Sequence, residues 1–197
     1  MEPQNLKNVQ VAFMNAGNLG FKNDTFDIAL CGFMGWDDCF DFDKLVFTQH
    51  DKKTPEILRV LRRDGKFVCC SWEVQEDVTW MEEAVLRHHP AILEDHDYLE
   101  HRPIGMSYEK VQGYAIIFEN AGFRDIEIST HSMTFISTDE EEWWRQMRQI
   151  GWDTLLDKIE DKELRKLKAV IFNDLQTYNK TDGIHFNKSV FYICGRK

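Results

Sequence analysis

The chain carries seven histidines and five cysteines, and their spacing decides what chemistry they can share. His88-His89 and Asp95-His96-Asp97 bring imidazoles and carboxylates close in sequence. Adjacent histidines on a helix diverge by about 100°, and no spacing here matches a zinc site. These groups therefore read as solvated surface. Cys69-Cys70 fall in a strand and point to opposite sheet faces, which argues against a mutual disulfide or a shared metal. Asp37, Asp38, Asp41 and Asp43 lack the glycine and terminal glutamate of a calcium hand, so they read as helix caps and a solvated loop. No metal is expected, and no nucleophile elbow or kinase signature occurs. Glu73 and His131 are conceivable proton acceptors. Trp36, Trp72, Trp80 and Tyr108 either pack a core or wall a site for a flat, apolar or cationic small molecule.

The elements that must hold these residues are legible as periodic runs. Val9–Met14 alternates and predicts a strand, followed by a turn-rich stretch through Asn15, Gly17, Asn18 and Gly20. Phe26–Phe33 is nearly all apolar, as in a strand buried on both faces. Leu45–Leu61 is helical in pattern, with Pro55 opening a fresh turn. Arg62-Arg63-Asp64-Gly65 predicts its stop: cations in the last turn, then glycine at a left-handed cap. Lys66–Trp72 is the next strand, completing half of a βαβ unit. Helices are expected over Asp77–His89 and Tyr108–Asn120, with residues 91–107 irregular. Ile126–Met133 alternates as a strand and runs on towards Ile136. Thr138-Asp139-Glu140-Glu141 opens a helix with a capping-box-like Glu141. On that helix Trp143 and Trp144 are adjacent, so only one is expected to face the core fully. After Gly151 a second helix covers about Thr154–Tyr178, and Ser189–Cys194 is a last strand. Strands alternating with helices predict an α/β sheet.

Composition narrows the setting. The 24 basic and 34 acidic residues leave a formal charge of −10, which argues against nucleic acid or an anionic membrane as partner. Hydrophobic residues make up 43% of the chain and aromatics 13%, enough for a sizeable core. No apolar run approaches a bilayer span. The N-terminus shows no secretory signal, so the cysteines are expected as thiols in a reducing cytoplasm.

Two blocks, Asn15–Leu30 and Glu56–Phe67, carry a resemblance. Leu19-Gly20-Phe21, Thr25-Phe26-Asp27 and Arg59-Val60-Leu61-Arg62-Arg63-Asp64-Gly65 resemble the middle of class I S-adenosylmethionine (SAM)-dependent methyltransferases, in the branch that includes quinone-biosynthesis enzymes. The resemblance is clear over residues 9–75 and continues more loosely through Asn120-Ala121-Gly122-Phe123. It implies a Rossmann-like sheet forming a single domain over 1–197, with residues 138–180 as a helical elaboration before the last strand. It implies SAM as cofactor, taken at Asn15, Ala16, Gly32, Phe33 and Met34, beyond the carboxyl ends of the strands. Trp36, Trp72, Glu73 and Tyr108 would face a small-molecule methyl acceptor.

The departure from the family is as informative. The family opens with a strand, a glycine-rich loop, a helix and a second strand ending in an acid. Here Val9–Met14 corresponds to the third family strand, so the chain reads as truncated at the N-terminus, with the first two strands missing. The glycines at 17 and 20 lead into a strand rather than a helix and cannot serve as that loop. The resulting edge predicts a rearranged sheet or a homodimer across it. Three functions stay open: a methyltransferase if the cofactor site is complete, a non-catalytic remnant serving binding or assembly, and a fragment of a longer enzyme.

Overall fold

The computed structural model describes residues 9–10, 12–32, 40–41, 46–47, 52–90 and 108–197. Its elements in chain order are β1 (Phe26–Gly32), β2 (Phe40–Asp41), β3 (Val46–Phe47), α1 (Lys53–Val60), β4 (Leu61–Gln75), α2 (Glu76–His88), α3 (Tyr108–Ala121) and β5 (Arg124–Ser137). There follow α4 (Glu140–Met147), a π-helical turn (Arg148–Trp152), α5 (Asp153–Leu156), α6 (Asp161–Leu175), a 3-10 turn (Gln176–Tyr178), β6 (Asn179–Lys180) and β7 (Gly183–Arg196). The main sheet has the order β1-β4-β7-β5, with β6 paired to β7, and β2 and β3 form a separate hairpin.

β1 and β4 are parallel and joined through α1, the βαβ crossover that the sequence pattern predicted. β7 runs against both of its neighbours. Its start meets the end of β5, where Gly183 approaches the Ser137 carbonyl, and its end meets the start of β5, where Arg196 pairs with Asp125. Along β4 the order is likewise reversed, with Lys188 over Trp72 and the Lys197 N–H donating to the Gly65 carbonyl. The layer is thus a mixed α/β sheet with a Rossmann-like crossover, as the sequence predicted for the fold class.

Two compact units divide the chain. One comprises residues 1–70, 113–128 and 193–197; the other comprises 71–112 and 129–192. The core of the first is an aromatic stack. Phe67 of β4 lies 4.9 Å from Phe118 of α3 at an interplanar angle of 5°, and Phe123 leans on both rings. Ile57 and Val60 of α1 are buried in the same unit. The second unit is built round α2, α4 and α6, with Met81, Val85, Met147 and Ile171 fully buried.

Several expectations are corrected here. Among the described residues, 9–14 form no strand. Phe13 is fully exposed, and the only pairing nearby is the Asn15–Asn18 bridge that closes a turn. A strand needs a hydrogen-bonded neighbour, and among the described residues β1 pairs only with β4. β1 is not buried on both faces: Ile28 is 59% exposed and Leu30 77%. Alternation places these two on one face and half-buried Ala29 and Cys31 on the other.

The helix predicted from Leu45 begins at Lys53, and Val46–Phe47 is strand instead. Arg62–Gly65 is not a helix stop. Phe26 pairs with Leu61 and Ile28 with Lys66, so the segment bulges out of β4 between these partners. The left-handed residue is Asp64, at φ 63°. Gly65 is needed for space, since a Cβ there would stand 2.8 Å from the Arg62 carbonyl and 3.2 Å from that of Asp27.

The N-cap of α4 is Asp139, which accepts from the Glu142 N–H, while Glu142 reaches back to the N–H and hydroxyl of Thr138. The box therefore closes through Glu142 rather than Glu141. Both tryptophans that follow are buried, Trp143 at 1% and Trp144 at 6%. Trp143 packs on Trp80 and Phe186, and Trp144 on Phe172 under Lys168, because α4 is covered on two sides. The long helix predicted over 154–178 is broken between Leu156 and Asp161, giving α5 and α6.

Candidate functional site

The turn before β1 is fastened by several hydrogen bonds. Asn15 Oδ1 accepts from the Gly17 N–H at 2.8 Å, and the Asn15 carbonyl accepts from the Asn18 N–H at 2.9 Å. This is the local bonding that asparagine brings to turns. A Cβ on Gly17 would stand 3.2 Å from the Lys52 Cβ, so the turn lies against the head of α1.

From there the chain follows α1 in the same direction. The Leu19 N–H donates to Glu56 Oε2 at 2.9 Å, the Asp24 N–H to the Arg59 carbonyl, and the Thr25 N–H to the Val60 carbonyl at 2.7 Å. Eight helical residues span about 12 Å. The Asn15 turn and the amino end of β1 are therefore held at opposite ends of α1.

Arg59 is the clamp. Its guanidinium donates to both Glu56 oxygens, to the carbonyls of Leu19 and Phe21, and to Asn23 Oδ1, all at 2.8–2.9 Å. All five donors of the fork are engaged. The hydrogen bond from Arg59 and that from the Leu19 N–H hold the Glu56 carboxyl down to about 2, and the same pairing raises Arg59 above its ordinary value. Sequence reasoning had both residues within a motif without assigning them a role. The signal was present: an acid and an arginine at i, i+3, beside a Leu-Gly-Phe turn with open carbonyls.

Of the predicted cofactor residues, Asn15 and Ala16 lie in this turn. Gly32 ends β1 beside Cys70, whose Sγ would stand 3.8 Å from a Cβ at that position. Phe33 and Met34 lie outside the described residues. Of the predicted substrate residues, Trp72 and Glu73 belong to the second unit. Trp36 and the side chain of Tyr108 lie outside the described residues, as do Asp37, Asp38, Asp43, Asp95, His96 and Asp97.

Trp72 meets a cation of this chain. Lys188 Nζ lies 5.6 Å from its ring centroid and 4.6 Å from that of Phe135, and pairs with Asp77 Oδ2 at 2.5 Å. The aromatic wall expected to recognise a cationic ligand thus holds the chain's own ammonium. His131 is exposed and packs edge-on to Tyr192 at 5.5 Å. His88 bonds Asp174 Oδ2 at 3.1 Å, linking α2 to α6. Among the described residues, no three His, Cys, Asp or Glu side chains gather as a metal site. No helix among them is long and apolar enough to cross a membrane.

No protein-family model and no curated protein matches the chain. Solved structures of similar outline do. A protein provisionally designated a methyltransferase, from Bacillus halodurans C-125, is 16% identical with a TM-score of 0.49, over 96% of this chain and 78% of that one. The YcgJ protein of Bacillus subtilis is 17% identical with a TM-score of 0.44, over 93% and 69%. A SAM-dependent methyltransferase from Archaeoglobus fulgidus is 14% identical with a TM-score of 0.38, over 96% and 68%.

Proposed function

We propose that this chain is a SAM-dependent methyltransferase-like protein that takes the adenine side of the cofactor at the Asn15–Ala16 turn and the carboxyl end of β1. The observation that carries the reading is the Glu56–Arg59 clamp. A fully engaged guanidinium is spent on a solvent-facing loop, and what it fixes is the position of the turn at the head of α1. With Asn15 Oδ1 taken by Gly17, the side chain offers its amide N–H donors to an acceptor nitrogen of an adenine edge, and Ala16 leaves room for a flat ring.

The described residues fit that half of the cofactor only. No glycine-rich loop after a strand and no ribose-binding acid precede β1 among them. The methyl acceptor would be a small molecule.

A second reading has its own support. The exposed Ile28 and Leu30 on an edge strand suit a non-catalytic module that binds or assembles through this edge, a second copy included. Titration calorimetry of the folded chain with SAM separates the two. Micromolar affinity, weakened about tenfold by Asn15→Asp, which keeps an oxygen for the Gly17 N–H and loses only the amide donor to the ligand, supports the cofactor reading. A folded chain that takes up no SAM at millimolar concentration overturns it in favour of the binding module.

A further inference from the structure

Cys31 of β1 and Cys69 of β4 are register partners on adjacent parallel strands. Neighbouring strands lie about 4.8 Å apart, and register partners present their side chains to the same face. That separation falls within the roughly 4.4–6.8 Å between Cα atoms that a disulfide spans. The face is the covered one: Cys69 is fully buried, and Cys31, on the edge strand of the sheet among the described residues, is half-buried. The thiols are already in contact. A hydrogen bond with Cys31, followed by burial, pushes the Cys69 thiol far up and keeps it protonated. Cys70 is directed to the opposite face, and its register partner is Gly32, which has no side chain to offer.

We propose that Cys31 and Cys69 form a reversible disulfide that fastens the edge strand β1 to β4. With hydrogen peroxide as oxidant, the Cys31 thiolate, the more accessible of the two, attacks one peroxide oxygen. The O–O bond breaks, hydroxide leaves, and Cys31 becomes a sulfenic acid. The Cys69 sulfur then attacks the Cys31 sulfur. The S–O bond breaks, and the oxygen leaves as water with the Cys69 proton. Two thiols are oxidised and one peroxide is reduced.

Closing the bond draws the two Cβ atoms nearer than strand spacing sets them, to about 3.8 Å. β1 accommodates this because it is an edge strand with a register shift between Phe26 and Ile28. The strain that remains leaves the bond readily reopened by a dithiol. Oxidation would thus add a covalent tie to a strand held to β4 by backbone pairing and the Arg62–Asp27 ion pair.

The test exposes the full, folded chain to one equivalent of hydrogen peroxide and maps the product by mass spectrometry of an unreduced digest. The expected product is two hydrogens lighter, has lost two of its five thiols, and yields one cross-linked peptide pair through Cys31 and Cys69. Dithiothreitol should restore both thiols. The triple variant Cys39→Ser, Cys70→Ser, Cys194→Ser should give the same cross-link. Cys69→Ser should stall at a Cys31 sulfenic acid that dimedone traps. A cross-link through Cys39, Cys70 or Cys194, or a wild-type chain that accumulates oxidised Cys31 without a cross-link, would overturn the proposal.

Discussion

Replacing Lys188 by methionine tests whether the second unit depends on a deeply placed ion pair. The Lys188 side chain is 10% exposed and that of Asp77 5%, at 2.5 Å. Asp77 also accepts from the Val78 N–H at 2.9 Å in the first turn of α2. The ammonium additionally lies over Phe135 and Trp72. Methionine keeps most of the aliphatic stem, so packing is nearly conserved and the charge is what disappears.

An exposed pair would cost at most about 1 kcal/mol. Here Asp77 is left buried without a counter-ion, and removing one partner of a buried pair costs about 3–5 kcal/mol. With a urea m-value of about 2 kcal/mol/M, the unfolding midpoint should fall by about 1.5–2.5 M at unchanged m. Lys188→Met combined with Asp77→Leu should recover most of the loss, because both charges are then gone. A single-variant loss below about 1 kcal/mol, or a double variant no better than the single, would refute the reasoning.

Glu56 titrates well below its ordinary range, at about 2, through its bonds with Arg59 and the Leu19 N–H. A depressed folded pKa contributes stability that is present above the unfolded value of about 4.3 and lost as pH falls towards 2. Thermal unfolding of the wild type should therefore decline through that window, and Glu56→Gln should show a shallower acid limb, measurable by circular dichroism. Gly183 sits at φ 130°, and a Cβ there would collide with the Ser137 carbonyl oxygen. Gly183→Ala is expected to destabilise by at least about 1 kcal/mol, seen as a lower urea midpoint.

The amino-acid pattern by itself determined the elements whose signals are local. α2 and α3 follow from apolar periodicity, and the start of α4 from a capping residue. β5 follows from alternation, and the core of β4 and the end of β7 from short apolar runs, so the α/β class was legible in the sequence itself. These signals suffice because helix hydrogen bonds and caps lie within a few residues of one another.

Only the tertiary structure decided the rest. Whether Val9–Met14 is a strand depends on a neighbour that no local pattern supplies. Arg62–Gly65 is a bulge rather than a helix stop because β4 pairs with β1 on both sides of it. Lys188 and Asp77 find each other, as do Cys31 and Cys69, through strand order and register. Trp143 and Trp144 are both buried because two layers close on α4. The clamp belongs to the same class: Glu56 and Arg59 are adjacent on α1, but the carbonyls they hold are brought to them by the fold. Contacts between residues distant in sequence are set by which surfaces the chain buries together, and that is a property of the packed whole.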